Sequence, residues 1–328
     1  MAKKLKIGVL MGGPSAEHEV SLATGRNVLD NIDRTKYEPV AIRMSKDKKW
    51  FVGGRRTTEV KALADCDVVF NALHGTFGED GRVQALLEYF GKRYTGSGIT
   101  ASALAMDKLR SREIFKLSGL QVPKTLKIRK GENYQALLNV FVNKIAGFPV
   151  VVKPCSNGSS VGVNIVRDNS GLAKAIATAF RTERKVLVEE FIDGMEVTCG
   201  VLGGKDVIAL PVTEIIPKKG HKFFDYSAKY KTGHSDEITP ARLDEETTKK
   251  VQEIAVKTHQ ILGCRAYSRT DMMIRDGGPF DRAQDKIYVL ELNTLPGLTP
   301  ASLLPKAAQT AGLTFPRLLD IIITSSLT

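Results

Sequence analysis

Cysteine is scarce in this sequence, and long apolar runs are absent from it. Its cysteines are Cys66, Cys155, Cys199 and Cys264, and no CxxC pair occurs, which argues against a zinc site and against a disulfide framework. No run approaches the ~20 apolar residues of a membrane span. The short apolar run that ends near Met11 is too short for a signal peptide. We therefore expect a cytoplasmic protein with no membrane partner.

Aromatic residues are also few, at 7%, whereas the chain has 29 glycines. This balance is typical of an α/β enzyme with many tight loops. A hydrophobic content of 42% supports a packed core and excludes general disorder. At roughly 100–150 residues per domain, the length of 328 residues predicts two or three domains.

The net charge of +12 has two functional interpretations. Nucleic-acid binding is disfavoured, because the lysines and arginines are scattered and no basic stripe alternates with aromatic residues. A field that attracts an anionic substrate, such as a nucleoside triphosphate, is the better interpretation, although solubility alone would also account for the charge.

The N-terminal third alternates strands and helices, which indicates a parallel α/β sheet. We predict strands at 5–11, 37–44 and 67–73, with helices at 19–31 and 83–90.

Two polar side chains follow strands of this predicted sheet. Glu17 comes after the first strand and His74 after the third. Because ligands bind at the carboxyl ends of parallel strands, both are candidate site residues. Considered alone, His74 is a weak candidate, since most loop histidines are inert.

The rest of the chain has a different pattern. Residues 96–98 form a boundary loop, and a helical stretch follows at 102–117. From residue 121 short strands with few helices predict a small α+β domain. The polar stretch 218–240 lacks apolar periodicity and is interpreted as a mobile lid.

The segment 149–162, PVVVKPCSNGSSVG, is a candidate phosphate site. Alternation along a strand puts Val151 and Lys153 on one face. The glycine loop that follows, which includes Ser159 and Ser160, can donate N–H groups and hydroxyls to phosphate oxygens. It is not a Walker A loop, because no GK[ST] closes it. An ordinary hairpin with a solvated lysine remains an equal alternative.

Two late strands carry polar residues at alternate positions. Arg269 and Asp271 share one face of the first, and Glu291 and Asn293 share one face of the second. If these strands pair, four polar groups converge. Their oxygen ligands would select Mg²⁺ or Mn²⁺ rather than zinc. The alternative is a polar stripe that faces solvent, but the apolar residues 288–290 favour a buried strand.

Seven segments, in order along the chain, resemble the D-alanine–D-alanine ligase family of the ATP-grasp superfamily. They are GGPSAEHEVSL, ALHGTFGEDG, YTGSGITASALAMDK, VVKPCSNGSSVG, FFDYSAKY, SRTDMM and LELNTLPGLTPASLLP. The resemblance implies an α/β protein with the three-domain ATP-grasp fold. Its domains would be an N-terminal α/β domain at 1–105, a central subdomain at 106–192, and a C-terminal subdomain at 193–328 that carries the lid.

The resemblance also implies how ATP and metal ions are bound. The ATP phosphates would be held by Lys108, Lys153 and Ser160, and the adenine and ribose by Glu189, Ile192 and Glu196. Two Mg²⁺ or Mn²⁺ ions would be held by Asp271, Glu291 and Asn293. An exposed acidic strand end is the plainer interpretation of Glu189 taken alone. Glu190 stands where many relatives have a lysine, so no adenine contact is assigned to it.

The substrate contacts follow in the same way. The first D-alanine would contact His74 and Glu17, and Glu17 would be hydrogen-bonded to Ser159 and Tyr230. The second D-alanine would contact Lys229 and Ser302. Arg269 and the N–H of Gly297 would steady the tetrahedral intermediate. The Tyr230 region and Leu303 would set the acceptor, since depsipeptide-forming relatives often have a histidine in place of the tyrosine.

The implied activity is the ATP-dependent joining of two D-alanines through an acyl phosphate, for peptidoglycan synthesis, by a homodimer. A relative that accepts D-lactate or D-serine is one alternative, and a non-catalytic nucleotide-binding module is another. An NAD-dependent oxidoreductase is disfavoured, because Gly12-Gly13-Pro14 lacks the GxGxxG spacing. The loop 276–285 is longer than the family usually has and is expected to be a surface excursion.

Overall fold

The computed structural model describes residues 3–156, 162–203, 206–218, 235–275 and 286–327. Its strands form three sheets, two of six strands and one of four. No helix in these described ranges is long and apolar enough to cross a membrane. The sheets follow one another along the chain, in agreement with the predicted ATP-grasp architecture.

The first sheet has the order β4-β3-β2-β1-β5-β6. Strand β1 pairs in parallel with both β2 and β5, as the alternation of strands and helices predicted. Its elements are β1 (Leu5–Gly12), α1 (His18–Asn31), β2 (Tyr37–Met44), β3 (Trp50–Val52), β4 (Arg55–Thr57), α2 (Glu59–Ala64), β5 (Val68–Asn71), α3 (Arg82–Tyr89) and β6 (Arg93–Tyr94).

Two helices lead from this sheet to the second one, which is antiparallel with the order β7-β10-β8-β9. The elements are α4 (Ile99–Met106), α5 (Lys108–Leu117), β7 (Thr125–Arg129), α6 (Gln135–Val140), β8 (Val150–Pro154), β9 (Asn164–Val166), α7 (Asn169–Ala179) and β10 (Lys185–Glu190).

The third sheet has the order β14-β13-β11-β15-β16, with β12 paired to β11. Its elements are β11 (Gly194–Gly203), β12 (Ile208–Ala209), β13 (Thr213–Pro217), β14 (Ser235–Ile238), α8 (Glu245–Ile261), β15 (Ala266–Arg275), β16 (Ile287–Asn293), α9 (Leu303–Thr310) and α10 (Phe315–Thr324). Strand β14 lies within the stretch predicted as a lid, and residues 219–234 of that stretch lie outside the described residues.

The first and third sheets share one apolar core. Phe70 of the first sheet belongs to the same buried cluster as Tyr267 of the third and Leu319 of α10. A polar contact closes the edge of this cluster, where the Tyr37 hydroxyl donates to Asp320 at 2.7 Å. Helix α10 therefore helps to fix the N-terminal sheet against the sheet that carries the predicted metal ligands.

The predicted helix at 102–117 is wrong in one respect, because the structure breaks it at Asp107. This residue has an extended backbone, and its side chain caps α5 by accepting from the Arg110 N–H at 3.1 Å. An aspartate that hydrogen-bonds the backbone in this way starts a new helix instead of continuing the old one. Lys108 thereby becomes the first residue of α5.

Helix α6 continues as a π-helix over Phe141–Ala146. The short strands β3 and β4, the pair β13 and β14, and the helices α2, α9 and α10 were not predicted.

Candidate active site

The hairpin of β15 and β16 brings the predicted polar groups together. Arg269 lies opposite Asn293, and Asp271 lies opposite Glu291. The Arg269 Nε and Nη2 atoms donate to the two Asp271 oxygens at 2.8 and 2.9 Å, and the Thr198 hydroxyl donates to Asp271 Oδ1 at 2.7 Å. The prediction of four convergent polar groups is confirmed. The pairing continues on both sides of the loop 276–285, which itself lies outside the described residues.

The side-chain oxygens of Asp271, Glu291 and Asn293 suit a hard cation as ligands. Glu291 is partly exposed, with 26% of its side chain accessible. The Asn293 Oδ1 atom accepts from the Leu295 N–H at 2.9 Å, which leaves one of the two lone pairs of this amide oxygen for a cation. Two carboxylates and one amide are the ligands that Mg²⁺ and Mn²⁺ take. Among the described residues, no cluster of three or more His, Cys, Asp or Glu side chains could hold a metal ion.

Lys108 lies directly against this hairpin. Its Nζ is 3.0 Å from Glu291 Oε2, and its side chain is 11% exposed. Its N–H donates to the Cys155 carbonyl at 3.3 Å, so the start of α5 is tied to the end of β8. Burial would lower the pKa of Lys108, but the charge and hydrogen bond of Glu291 outweigh it and raise that pKa. Lys108 therefore stays charged beside the hairpin.

Lys153 lies on β8 of the second sheet, the central one of the three along the chain, on the face that alternation predicted. Val152 is fully buried on the opposite face. The Lys153 Nζ is 2.8 Å from Glu189 Oε2, and Arg112 donates to Glu189 Oε1. Burial and the neighbouring Arg112 charge lower the pKa of Lys153 to about 8. Glu189, predicted as an adenine contact, thus has a cation on each of its oxygens.

The loops after β1 and β5 meet, as their parallel pairing requires. The Ser15 hydroxyl donates to the His74 carbonyl at 2.6 Å and accepts from the Glu17 N–H at 3.1 Å. His74 Nε2 is 2.9 Å from the Thr24 hydroxyl. Gly75 has a φ of +68°, and a Cβ on it would lie 2.4 Å from Glu17 Oε2. Glycine is therefore required where the two loops touch.

The loop after β16 carries Gly297 and Ser302, which are predicted to contact the tetrahedral intermediate and the second substrate. The Ser302 hydroxyl accepts from the Thr299 N–H at 3.0 Å. A Cβ on Gly297 would lie 2.8 Å from Ser302 Oγ, so only glycine leaves room for that hydroxyl. Leu303 is buried and packs against Ile215 of β13.

One pocket collects many of the predicted residues. Those that line it are Glu17, His74, Lys108, Arg269, Glu291, Asn293, Gly297, Ser302 and Leu303. Asp271, Lys153, Glu189, Ile192 and Glu196 lie outside its lining. Ser159, Ser160, Lys229 and Tyr230 lie outside the described residues.

Ile192 and Glu196 lie near the junction of the second and third sheets. Ile192 is buried just before β11. Glu196 shares a face of β11 with Thr198, which is the cross-strand partner of Asp271. Glu196 thus lies on the same side of the third sheet as the predicted metal ligands.

Four polar residues of the site were missed from the sequence. Glu79 and Glu237 line the pocket, Thr198 orients Asp271, and Arg112 joins two sheets. For Arg112 a signal existed, because it lies four residues after Lys108 and so on the same helical face. The others depend on strand pairing and loop packing, which no local pattern shows.

Comparison with known proteins assigns the family. The model described as D-ala D-ala ligase C-terminus matches residues 114–324, and the model described as D-ala D-ala ligase N-terminus matches residues 6–63 and 53–97. The chain belongs to the D-alanine–D-alanine ligase family. The resemblance drawn from the seven sequence segments is thereby confirmed.

Individual members of the family match this chain over nearly its full length. A D-alanine–D-alanine ligase of Syntrophobacter fumaroxidans is 42% identical, with 98% of this chain and 97% of that protein covered. The solved D-alanine–D-alanine ligase of Bacillus anthracis complexed with ATP is 36% identical, with a TM-score of 0.78 and 98% and 97% of the chains covered. The VanG D-Ala:D-Ser ligase of Enterococcus faecalis is 32% identical, with a TM-score of 0.84 and 99% and 100% covered.

Proposed function

We propose that this protein joins two D-alanines into D-alanyl-D-alanine at the expense of ATP, for peptidoglycan synthesis. The paired hairpin carries this proposal, because it places Arg269 opposite Asn293 and Asp271 opposite Glu291, with Lys108 against Glu291. This is an oxygen-rich site flanked by cations, as phosphoryl transfer requires. The family's full-length relatives support it.

The first step makes the carboxylate of one D-alanine reactive. A carboxylate is a poor acyl donor, because its leaving group would be oxide. Its oxygen attacks the γ-phosphorus of ATP, the bond to the β-phosphate oxygen breaks, and D-alanyl phosphate and ADP form. Lys108 and Lys153 offset the negative charge of the phosphates. Two Mg²⁺ or Mn²⁺ ions, held by Asp271, Glu291 and Asn293, would neutralise more of that charge when bound.

The second step forms the peptide bond. The amine of the second D-alanine attacks the acyl carbon, and the carbonyl oxygen becomes an oxyanion. The oxyanion then returns to a carbonyl as the bond to phosphate breaks, and the departing phosphate takes the proton that the nitrogen loses. Arg269 and the Gly297 N–H stabilise the oxyanion. The Ser302 hydroxyl, with Lys229, binds the carboxylate of this second substrate.

The first D-alanine is bound between the N-terminal loops. Glu17 takes its ammonium group, with Ser159 and Tyr230 bonded to Glu17, and His74 lies near its carboxylate. A lid at 218–240 excludes water, which would otherwise hydrolyse the acyl phosphate. We further propose that the adenosine lies along Glu189, Ile192 and Glu196.

A phosphate-release assay tests the proposal. With ATP and Mg²⁺, we expect release to depend on D-alanine and the dipeptide to be found by mass. A matched variant, Arg269→Met, should bind nucleotide yet release little phosphate. Phosphate release without D-alanine, or none at all from a folded protein, would contradict ligation and would favour a non-catalytic nucleotide-binding module.

D-serine as acceptor is a second candidate, because the solved structure of a D-Ala:D-Ser ligase covers the whole fold. We propose D-alanine as the preferred acceptor. Over D-lactate it is favoured because Tyr230 is a neutral phenol near pH 7, whereas a protonated histidine would repel the ammonium that D-alanine carries and D-lactate lacks. Competition between equal D-alanine, D-serine and D-lactate, with products separated by mass, decides between them. A product dominated by the ester or by the D-serine dipeptide would overturn this specificity.

We also propose a homodimer that works in the cytoplasm, where ATP is plentiful, without a nucleic-acid or membrane partner. The four cysteines are free thiols, which agrees with a reducing compartment. Sedimentation of the purified protein tests the dimer, and a monomer at enzyme concentrations that support full turnover would contradict it.

A further inference from the structure

Arg112 is a buried arginine that joins two sheets. It lies on α5 with 2% of its surface exposed. Its Nε and Nη2 atoms both donate to the Leu290 carbonyl of β16, at 2.8 and 2.6 Å, and its Nη1 atom donates to Glu189 of β10. The Thr125 hydroxyl of β7 is 3.5 Å from Nη1. One guanidinium thus spans the gap between the central and the third sheet.

Both ends of this bridge lead to predicted site residues. On one side, Leu290 precedes Glu291, whose carboxylate is 3.0 Å from Lys108 Nζ. On the other side, Glu189 is 2.8 Å from Lys153 Nζ. The bridge therefore runs from a phosphate lysine on the central sheet to a metal ligand on the third sheet.

The chemistry of arginine suits this position. Its planar fork supplies donors in fixed directions and stays charged even when buried, so it can bind a carbonyl and a carboxylate together. A lysine at the same place has one ammonium centre, which cannot reach both acceptors with the same geometry. Arg112 also counters the charge of Glu189, so that Lys153 is not held by an uncompensated buried carboxylate and can turn toward a phosphate.

We propose that Arg112 is a positioning residue for ATP and metal binding. It sets the placement of Lys153 relative to Glu291, and it touches neither the substrates nor the reacting atoms. This inference rests on the ATP-dependent activity proposed above. A wild-type protein that lacks ligase activity would refute that activity, whereas the variants below test only the role of Arg112.

The test compares Arg112→Met and Arg112→Lys with Arg110→Met, an exposed arginine on the same helix. The KM for ATP and the Mg²⁺ concentration for half-maximal rate should rise at least about tenfold in Arg112→Met, as is usual when a supporting contact to a metal site is lost. Arg112→Lys should be intermediate. The KM for D-alanine should stay within about twofold in both, and Arg110→Met should match the wild type.

A purely structural role would give a different result. If both Arg112 variants lose melting temperature while their ATP and Mg²⁺ dependence stays within about twofold of the wild type, the proposal is overturned. Failure of both to fold would assign Arg112 to folding alone and would overturn it too. Finally, the ATP defects of Arg112→Met and Glu189→Gln should not add in the double variant, because one acts through the other. Additive defects would contradict the bridge.

Discussion

Lys108 and Lys153 are two buried lysines with opposite electrostatics. Each side chain is 11% exposed, and each ammonium lies within 3.0 Å of a carboxylate. Yet the pKa of Lys108 is raised, while that of Lys153 is lowered to about 8. Burial pushes both values down, so the difference comes from the neighbouring charges.

Burial together with the second cation on Glu189 explains the lowered pKa of Lys153. Glu189 is shared by Lys153 and Arg112, and its own pKa is lowered because the two cations together outweigh its burial. The Arg112 charge lowers the pKa of Lys153. It also lowers the pKa of Lys108, but the Glu291 charge raises the Lys108 pKa by more. Because Arg112 also binds Glu189, Lys153 is more easily released from this carboxylate to a phosphate.

Among the variants that test this contrast, Lys153→Ala should have the largest effect on kcat. Loss of a charge that acts in phosphoryl transfer should lower kcat by about 100- to 1,000-fold, as the loss of one oxyanion donor does. Lys127→Ala is the matched control, because Lys127 is exposed and its cross-strand partner Leu187 also pairs with Lys153. A folded Lys153→Ala protein with near-normal kcat would remove this lysine from the phosphate site.

Glu291→Gln tests whether the carboxylate paired with Lys108 binds the metal ion. The amide keeps an oxygen but loses the charge, so the Mg²⁺ concentration for half-maximal rate should rise roughly 10-fold or more, with partial rescue at high Mg²⁺. Titration of Mg²⁺ at saturating ATP measures it. Glu253→Gln, at an exposed helix position paired with Lys250, serves as the control. An unchanged Mg²⁺ dependence would take Glu291 out of the metal site.

Short-range rules predict Lys153 and the polar faces of the two hairpin strands, whereas Lys108 is implied only by the family resemblance. Alternation along a strand places Arg269 and Asp271 on one face whatever the rest of the chain does. Likewise, adjacent parallel strands bring the loops of Glu17 and His74 to one edge. The pairing of these two strands is only a condition in the sequence, and the structure supplies it.

Other features depend on partners far away in sequence. The contact of Arg112 with Leu290 spans 178 residues, and no local pattern specifies it. The break at Asp107 is decided by a side-chain cap that competes with helix continuation. The two cations on Glu189 likewise come together only when β8, β10 and α5 are packed against one another.

Thr198→Val should have a smaller effect on Mg²⁺ affinity, through Asp271 of the third sheet. It keeps the volume but removes the hydroxyl that donates to Asp271 Oδ1, so Mg²⁺ affinity should fall near the lower end of the ~10–100-fold range for such contacts. Thr213→Val is its matched control, since Thr213 is buried and lies directly opposite Thr198 on β13. Equal Mg²⁺ titrations for the two variants would mean that the hydroxyl does not orient Asp271.

The smallest expected effect is a proton taken up by Lys153. Its pKa of about 8 lies below the usual 10.5, so near pH 8 about half of the molecules carry a neutral amine. Phosphates close to the ammonium favour its charged form and raise that pKa. Binding of a non-hydrolysable ATP analogue at pH 8 should therefore take up about half a proton more than binding to Lys153→Met does. Calorimetry in two buffers of different ionisation enthalpy measures the uptake.

The lowered pKa of Lys153 also predicts how the free energy of unfolding depends on pH. Between about pH 8 and 10.5 the unfolded chain holds a proton on this lysine that the folded chain lacks. The contribution of Lys153 to the free energy of unfolding should therefore rise with pH in that window, and it should be smallest below about pH 8. Denaturant titrations of the wild type and Lys153→Met should diverge in that direction. Parallel pH profiles, together with equal proton uptake, would mean that burial and the Arg112 charge do not lower the Lys153 pKa and that the two lysines are electrostatically alike.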